Sequence, residues 1–363
     1  MSKSLKEVIE VFTRLGITAF GGPAAHIAMM RQEVVNRRRW MDDAEFLDLL
    51  GATNLIPGPN STEMAIHLGK HRAGWKGLLM AGLLFIVPAV LITGVIAWLY
   101  KEYSSLPQVQ PFIYGIKPAI IAVILFAVIP LAKASVKNNL LAVIAVIAVV
   151  AALLGVHEII VLFGAGALYA ALTYGKDRLM LLQPLLIAAT LSETQIFLIF
   201  LKIGAILYGS GYVLFAFIES ELVDKGFLTT QQLADAIAVG QFTPGPVFSS
   251  VTFIGYQLKG LSGALAATAG VFLPSFIFVA LISRIVPKIR TSKLFAAFLD
   301  AVNVASVAVI ASVCWQMGRE SIVSWQAAVI FIVSAILFWR FPRINSALIV
   351  VFGSVAGWLL YML

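Results

Sequence analysis

Long apolar runs separated by short polar connections fill most of the chain. Eight of them, at 78–99, 112–131, 140–156, 159–172, 261–282, 296–315, 325–339 and 347–363, carry almost no charge. Most approach the roughly 20 residues that cross a hydrocarbon core, and the shortest rely on local thinning or polar flanks. Two other regions are apolar but interrupted. Residues 11–30 are split by Gly21, Gly22 and Pro23, which fits a helical hairpin or broken crossing better than one straight helix. After a basic stretch at 31–40, a helix opening on Asp42, Asp43 and Glu45 runs into Pro57, Gly58 and Pro59, and a short helix continues to Gly69. Pro-Gly-Pro removes two backbone donors, disfavours helix before each proline and presets φ for a new helix, here from Pro59. In lipid such a break survives only where it is packed in protein or lines a wet cavity.

The same order returns in the second half. Gly16 matches Gly204 (204 − 16 = 188), Arg14 matches Lys202, and Glu33 matches Glu221. Pro57 matches Pro244 (244 − 57 = 187), so Pro244, Gly245 and Pro246 form a second break, and Pro88 matches Pro274. The agreement runs through much of each half and reads as a duplication, with repeats at 1–178 and 179–363.

Composition settles the class. With 60% hydrophobic and 12% charged residues, the chain is an all-α polytopic membrane protein in contact with the lipid bilayer. The net charge of +8 gathers in short loops, so it signals the cytoplasmic side and not a nucleic-acid partner. In the first half the basic loops are 31–39 and 70–76. In the second half the loop with Glu219, Glu221 and Asp224 is acidic and the basic cluster comes after the next crossing, at 284–293. That shift predicts two repeats in inverted orientation. An odd number of crossings must then separate matching points, and the weak run at 179–189 either crosses alone or joins the next apolar segment. The first residues form a charged amphipathic segment, not a cleavable signal peptide. One cysteine, Cys314, and four scattered histidines provide neither a disulfide framework nor a metal site, so no metal and no cofactor are expected.

The stretches FGGPAAHIAMM, RRRW, ATNLIPGPNSTEMAIHLG and GQFTPGPVFSS together resemble the chromate transporter family, in its long form with two fused homologous domains. The resemblance spans essentially the whole chain. It implies export of chromate across the cytoplasmic membrane of a bacterium, with chromate resistance as the consequence, and it leaves sulfate or another oxyanion as the alternative substrate. No enzyme is expected: Glu63 and His67 are the only acid–histidine pair at helical spacing, with no partner in the other half.

Broken helices at matching positions of two halves point to a transporter's binding site. A tetrahedral dianion needs donors and positive potential in place of its water, and the helix starts after Pro59 and Pro246 offer free N–H groups and positive dipole ends. Asn60, Ser61 and Thr62 in one half, and Ser249 and Ser250 in the other, would add side-chain donors. Arg14, Lys202 and Lys117 are the cations within apolar surroundings, with snorkelling to the interface as the competing reading. Glu63 is either a first-turn cap or a protonatable group that couples protons to the anion. Asn54 and Gln241 precede the breaks and are read as satisfying freed backbone groups, while Gly21, Gly22 and Pro23 shape the first break. Homo-oligomerisation is left open by the sequence.

Overall fold

The computed structural model describes residues 2–361 apart from 21, 54–55, 105, 107–108, 175–190, 209–210, 283–292, 342–343 and 345. Asn54, Gly21, the run at 179–189 and the basic cluster from 284 to 292 therefore lie outside the described residues. The rest is helical, with no strand among the described residues.

The first repeat contains α1 (Lys3–Thr18), α2 (Gly22–Arg31) running on as a π-helical turn (Gln32–Arg37), α3 (Asp43–Thr53), α4 (Asn60–Tyr103), α5 (Gln110–Ser135), α6 (Asn139–Leu153) and α7 (Glu158–Tyr174). The second repeats that order: α8 (Glu193–Ile206), α9 (Val213–Ile218) with a π-helical turn (Glu219–Val223), α10 (Thr230–Phe242), α11 (Ser250–Ile282), α12 (Lys293–Ser321), α13 (Trp325–Arg340) and α14 (Ser346–Tyr361). By length and composition α4, α5, α11 and α12 are long and apolar enough to cross a membrane, and α6, α7, α13 and α14 are shorter apolar helices.

α4 and α11 are each two helices. At Ala73–Gly74 and at Lys259–Gly260 the backbone leaves helical geometry, with Gly74 at φ 61° and Gly260 at φ 62°. Only glycine takes that conformation without strain. The chain folds back there: a Cβ on Gly77 would lie 2.0 Å from the Gly69 carbonyl oxygen, and one on Gly263 2.2 Å from that of Gly255. In a straight helix eight residues span about 12 Å. Small residues facing each other let the two limbs touch. Residues 43–72 thus form one hairpin folded at Pro-Gly-Pro, and 230–258 form its counterpart. At 11 residues, α3 is about 16 Å long, half the thickness of a hydrocarbon core.

The repeats interlock. α5 packs along α13 and α14 of the other repeat, α12 packs along α6 and α7, and α4 packs on α11. α1 lies on α4 as α8 lies on α11, with the Gly16 Cα against the Leu84 carbonyl and the Gly204 Cα against that of Val271. The largest apolar cluster draws on both repeats, joining Ile120 and Leu162 to Phe200, Phe215, Phe253 and Val302.

Side-to-side contacts agree with the orientation read from charge. On the basic side, the Lys70 Nζ donates to the carbonyls of Val279 and Ala280, 3.3 and 3.1 Å away, and Lys137 pairs with Asp300 at 2.7 Å. On the other side, His157 of the α6–α7 turn meets Glu221 at 3.6 Å, and Tyr100 near the end of α4 meets Asp235 near the start of α10 at 2.6 Å. No contact among these joins opposite faces. The two repeats are inverted.

Candidate functional site

The centre of the molecule is built from four chain breaks. Gly58 has φ 131° and Gly245 φ 86°, so in each Pro-Gly-Pro the glycine takes a turn closed to other residues. The Gly58 N–H donates to the Leu207 carbonyl oxygen at 2.7 Å, and the Gly245 N–H donates to that of Ala19 at 2.8 Å. Ala19 and Leu207 end α1 and α8, and they are repeat counterparts (207 − 19 = 188), as are Gly58 and Gly245 (245 − 58 = 187). Each repeat's Pro-Gly-Pro is therefore bonded to the other repeat's first break. Two exchanged contacts of this kind are the signature of a pseudo-two-fold axis, and the sidedness of the repeats lays that axis in the membrane plane.

The two helix starts differ in detail. α4 begins at Asn60 with Pro59 as its N-cap, and the amides of Thr62 and Glu63 turn back to the Pro59 carbonyl at 2.8 and 3.1 Å. After Pro246 the chain makes a 3₁₀ turn (Val247–Ser249) before α11 starts at Ser250. The first amides of a helix lie beyond intrahelical reach, so each start leaves N–H groups for other acceptors.

Around the first break, Ser61, Thr62 and Glu63 are buried. The Glu63 Oε1 accepts from the Ser275 Oγ of the other repeat at 3.3 Å and crowds Gly58, while its Oε2 and the Thr62 Oγ1 have no partner among the described residues. Around the second, the Thr93 Oγ1 of α4 lies 3.5 Å from the Thr243 Oγ1 and 3.3 Å from the Ser249 Oγ. There the Ser250 Oγ and the Gln241 Nε2 have no partner among the described residues. The Gln241 Oε1 accepts from the hydroxyls of Tyr212 and Ser346 at 3.3 and 3.1 Å. Pro57, Pro59, Pro244 and Pro246 are buried with their glycines, and Gly22 starts α2 at φ 80° with Pro23 behind it. Buried polar groups normally find partners. Four orphaned atoms at two related breaks mark a place suited to a polar guest.

The three basic residues have carboxylate partners. Arg14 forms a salt bridge with Glu33, and Lys202 with Glu221, at equivalent places in the two repeats. Glu33 is also held by Arg38 at 2.7 Å, and Glu221 by Lys225 at 2.6 Å. Burial alone would raise both carboxyls, but the hydrogen bonds of Arg38 and Arg14 to Glu33, and of His157, Lys202 and Lys225 to Glu221, hold each below the usual carboxylate range. Lys117 is half-buried within electrostatic reach of Asp235 and Glu320. All three cations are thus matched to carboxylates. Thr93, Ser275 and the Tyr100–Asp235 pair were not legible as site residues; only the closeness of Thr93 and Ser275 to Pro88 and Pro274 singles them out.

Two cavities accompany these features. One of about 350 Å³ is lined by Ile56 and Asn60 of the first break and by Lys137, Asp300, Asn303 and Ser306. The other, about 410 Å³ and almost wholly apolar, lies between α5, α12 and α13 beside Cys314. Among the described residues no group of His, Cys, Asp and Glu has metal-binding geometry.

Comparison with known proteins agrees with this layout. A sequence model of the family described as "Chromate transporter" matches residues 6–170 and again 194–358. The chain is 31% identical to a "Chromate transport protein" of Cupriavidus metallidurans over 99% of this chain and 94% of that protein. It is 29% identical to a "Probable chromate transport protein" of Synechococcus elongatus, covering 98% and 95% of the two chains. It is 28% identical to a "Chromate transport protein" of Pseudomonas aeruginosa, covering 99% and 93%. No solved structure matches.

Proposed function

The chain belongs to the chromate transporter family, and from that premise we propose that it is a secondary transporter carrying chromate outward across a bacterial cytoplasmic membrane, so conferring resistance. The observation that carries the reading is the exchange of backbone hydrogen bonds between the breaks of two inverted repeats, with buried, unpartnered polar atoms beside both. Substrate is taken at the breaks by the helix-start amides together with Asn60, Ser61 and Thr62, or Ser249 and Ser250 with Thr93. Arg14 and Lys202 enter as braces of the corners that hold the hairpins, since Glu33 and Glu221 already meet their charge.

Moving a dianion outward across an inside-negative potential is favourable by about 4.6 kcal/mol per 100 mV, so export requires no further energy source. Glu63 is the proposed point of proton coupling. An ionised carboxylate one turn from the anion repels it, and protonation lifts that repulsion. Sulfate, similar in shape and charge, is the second substrate reading.

The test is chromate uptake into inside-out vesicles holding the protein, with the interior made positive and sulfate as competitor. Saturable, potential-driven accumulation is expected, and sulfate competition measures how far the site separates the two dianions. Folded protein that accumulates no chromate under any potential or proton gradient overturns the reading.

A further inference from the structure

The 350 Å³ cavity beside the first break has a charged rim that the transport reading does not use. Its inner wall is continuous with the exchanged breaks: Ile56 and Asn60 flank Pro57–Pro59, and the Ser306 Oγ donates to the Tyr208 carbonyl, one residue past the acceptor of the Gly58 N–H, at 3.1 Å. At the rim, the Lys137 Nζ sits 2.7 Å from the Asp300 Oδ1, with side chains 57% and 31% exposed. By the charge of the surrounding loops this rim faces the cytoplasm.

We propose that Lys137 captures the oxyanion on the cytoplasmic side and that Asp300 is its resident competitor, occupying the cation until a dianion displaces it. The proposal rests on the transport reading above. An exposed ion pair is weak and screened by salt. A dianion carries twice the charge of Asp300, and the polar side chains of Asn303, Ser306 and Asn60 line the way inward.

The repeat provides an internal comparison. The counterpart of Asp300 is Tyr114 (300 − 114 = 186), and that of Asn138, next to Lys137, is Ser324 (324 − 138 = 186). Lys137 itself corresponds to Val323 (323 − 137 = 186), and Tyr114 touches the next residue, Ser324, through the two hydroxyls at the opposite face, so no cation stands at the equivalent place. Lys117 on that face is the counterpart of Asn303 (303 − 117 = 186), and its charge is met by Asp235 and Glu320. At the position equivalent to Lys137 and Asp300 the other repeat carries no ion pair, because Val323 and Tyr114 stand there. A cation at the entrance raises the local concentration and on-rate of anions, and the equivalent place on the other face, with Val323 and Tyr114, carries no cation to retain them.

Opposite effects of the two partners test this. In inside-out vesicles, whose outer face is the cytoplasmic one, Asp300→Asn is expected to lower the half-saturating chromate concentration roughly three- to tenfold. Lys137→Gln is expected to raise it by a similar factor and to flatten its dependence on salt. The double variant is expected to behave as Lys137→Gln, because Asp300 acts only through Lys137. Equilibrium binding of radiolabelled chromate to the purified variants reads the same order without flux. Absence of flux in the wild type therefore counts against the transport reading, and the order of binding still decides this one. Asp300→Asn that weakens binding or leaves it unchanged, in monodisperse protein, overturns the proposal.

Discussion

The exchanged breaks make a sharp demand on Gly58. Its φ of 131° is closed to residues with a Cβ, and an added methyl carbon would lie 2.3 Å from the Glu63 Oε1 and 3.0 Å from the Ser275 Oγ. Gly58→Ala must therefore rotate the peptide, losing the 2.7 Å bond to Leu207, or displace a fully buried carboxylate. Backbone strain costs about 1–3 kcal/mol and the lost hydrogen bond about 0.5–1.5, so roughly 2–4 kcal/mol is expected. Gly245→Ala shares the φ problem, but its methyl meets the Ala89 Cβ only at 3.0 Å, so a smaller loss is expected. Gly94→Ala is the control: nothing lies within 4 Å of its site in the middle of α4, and alanine favours helix. Thermal midpoints of the three variants in detergent, paired with vesicle uptake of chromate, should fall in the order Gly94→Ala above Gly245→Ala above Gly58→Ala, with uptake abolished in the last. A Gly58→Ala protein as stable and active as Gly94→Ala would refute the exchanged-break geometry.

Other perturbations probe separate parts. Pro57→Ala or Pro59→Ala lets helix propagate through the first break and should abolish uptake while the protein still reaches the membrane; normal uptake in both would discard the break as the site. Thr93→Val, which removes the hydroxyl facing Thr243 and Ser249, should raise the half-saturating chromate concentration roughly ten-fold, with Thr93→Ser close to wild type. Lys202→Met leaves a nearly buried Glu221 short of a partner and should destabilise the protein more than the double variant Lys202→Met with Glu221→Gln does; additive losses would separate the two residues. Burial, with Asp224 and Glu158 close by, pushes Glu219 up to about 8. A raised acid contributes stability that is complete below its unfolded value of about 4.3 and lost as pH rises through the folded one, while Glu221, held low, contributes no slope above about pH 5. Glu219→Gln should remove that decline in thermal midpoint between about pH 5 and 8, and an unchanged decline would show that Glu219 is not its source.

Much of the architecture can be read from residue order because lipid enforces it. The eight apolar runs coincide with helices, and the charge shift between repeats anticipates inverted halves because loop charge and side-to-side contacts both depend on the membrane. The breaks were legible because Pro-Gly-Pro has few conformational choices. Their partners were not. Nothing along the chain ties Gly58 to Leu207 or Gly245 to Ala19, since those bonds join main-chain atoms of distant segments and leave no side-chain signature. The same holds for the fold-back at Gly74 and Gly260: single glycines in apolar helices are common, and the reversal is visible only once Gly69 meets Gly77. Arg14 and Lys202 stand out along the chain as cations amid apolar residues, and Glu33 and Glu221 align as repeat partners. Their pairing required the π-helical turns that bring each carboxylate round to its cation.

The exchanged bonds also bear on how such a site can open to two sides. Gly58 to Leu207 and Gly245 to Ala19 are equivalent by symmetry, so a shift that loosens one while keeping the other is matched by a mirror shift with the roles reversed. An exact repeat would make those two states equal in energy. On the transport proposal, differences between the halves then set the bias, among them Glu63 against Ser250 at the breaks and Lys137 with Asp300 against Val323 with Tyr114. If the proposed transport runs through these breaks, the shared part of the repeats would allow the two related states, and positions where the repeats differ would decide which of them receives the anion and which releases it.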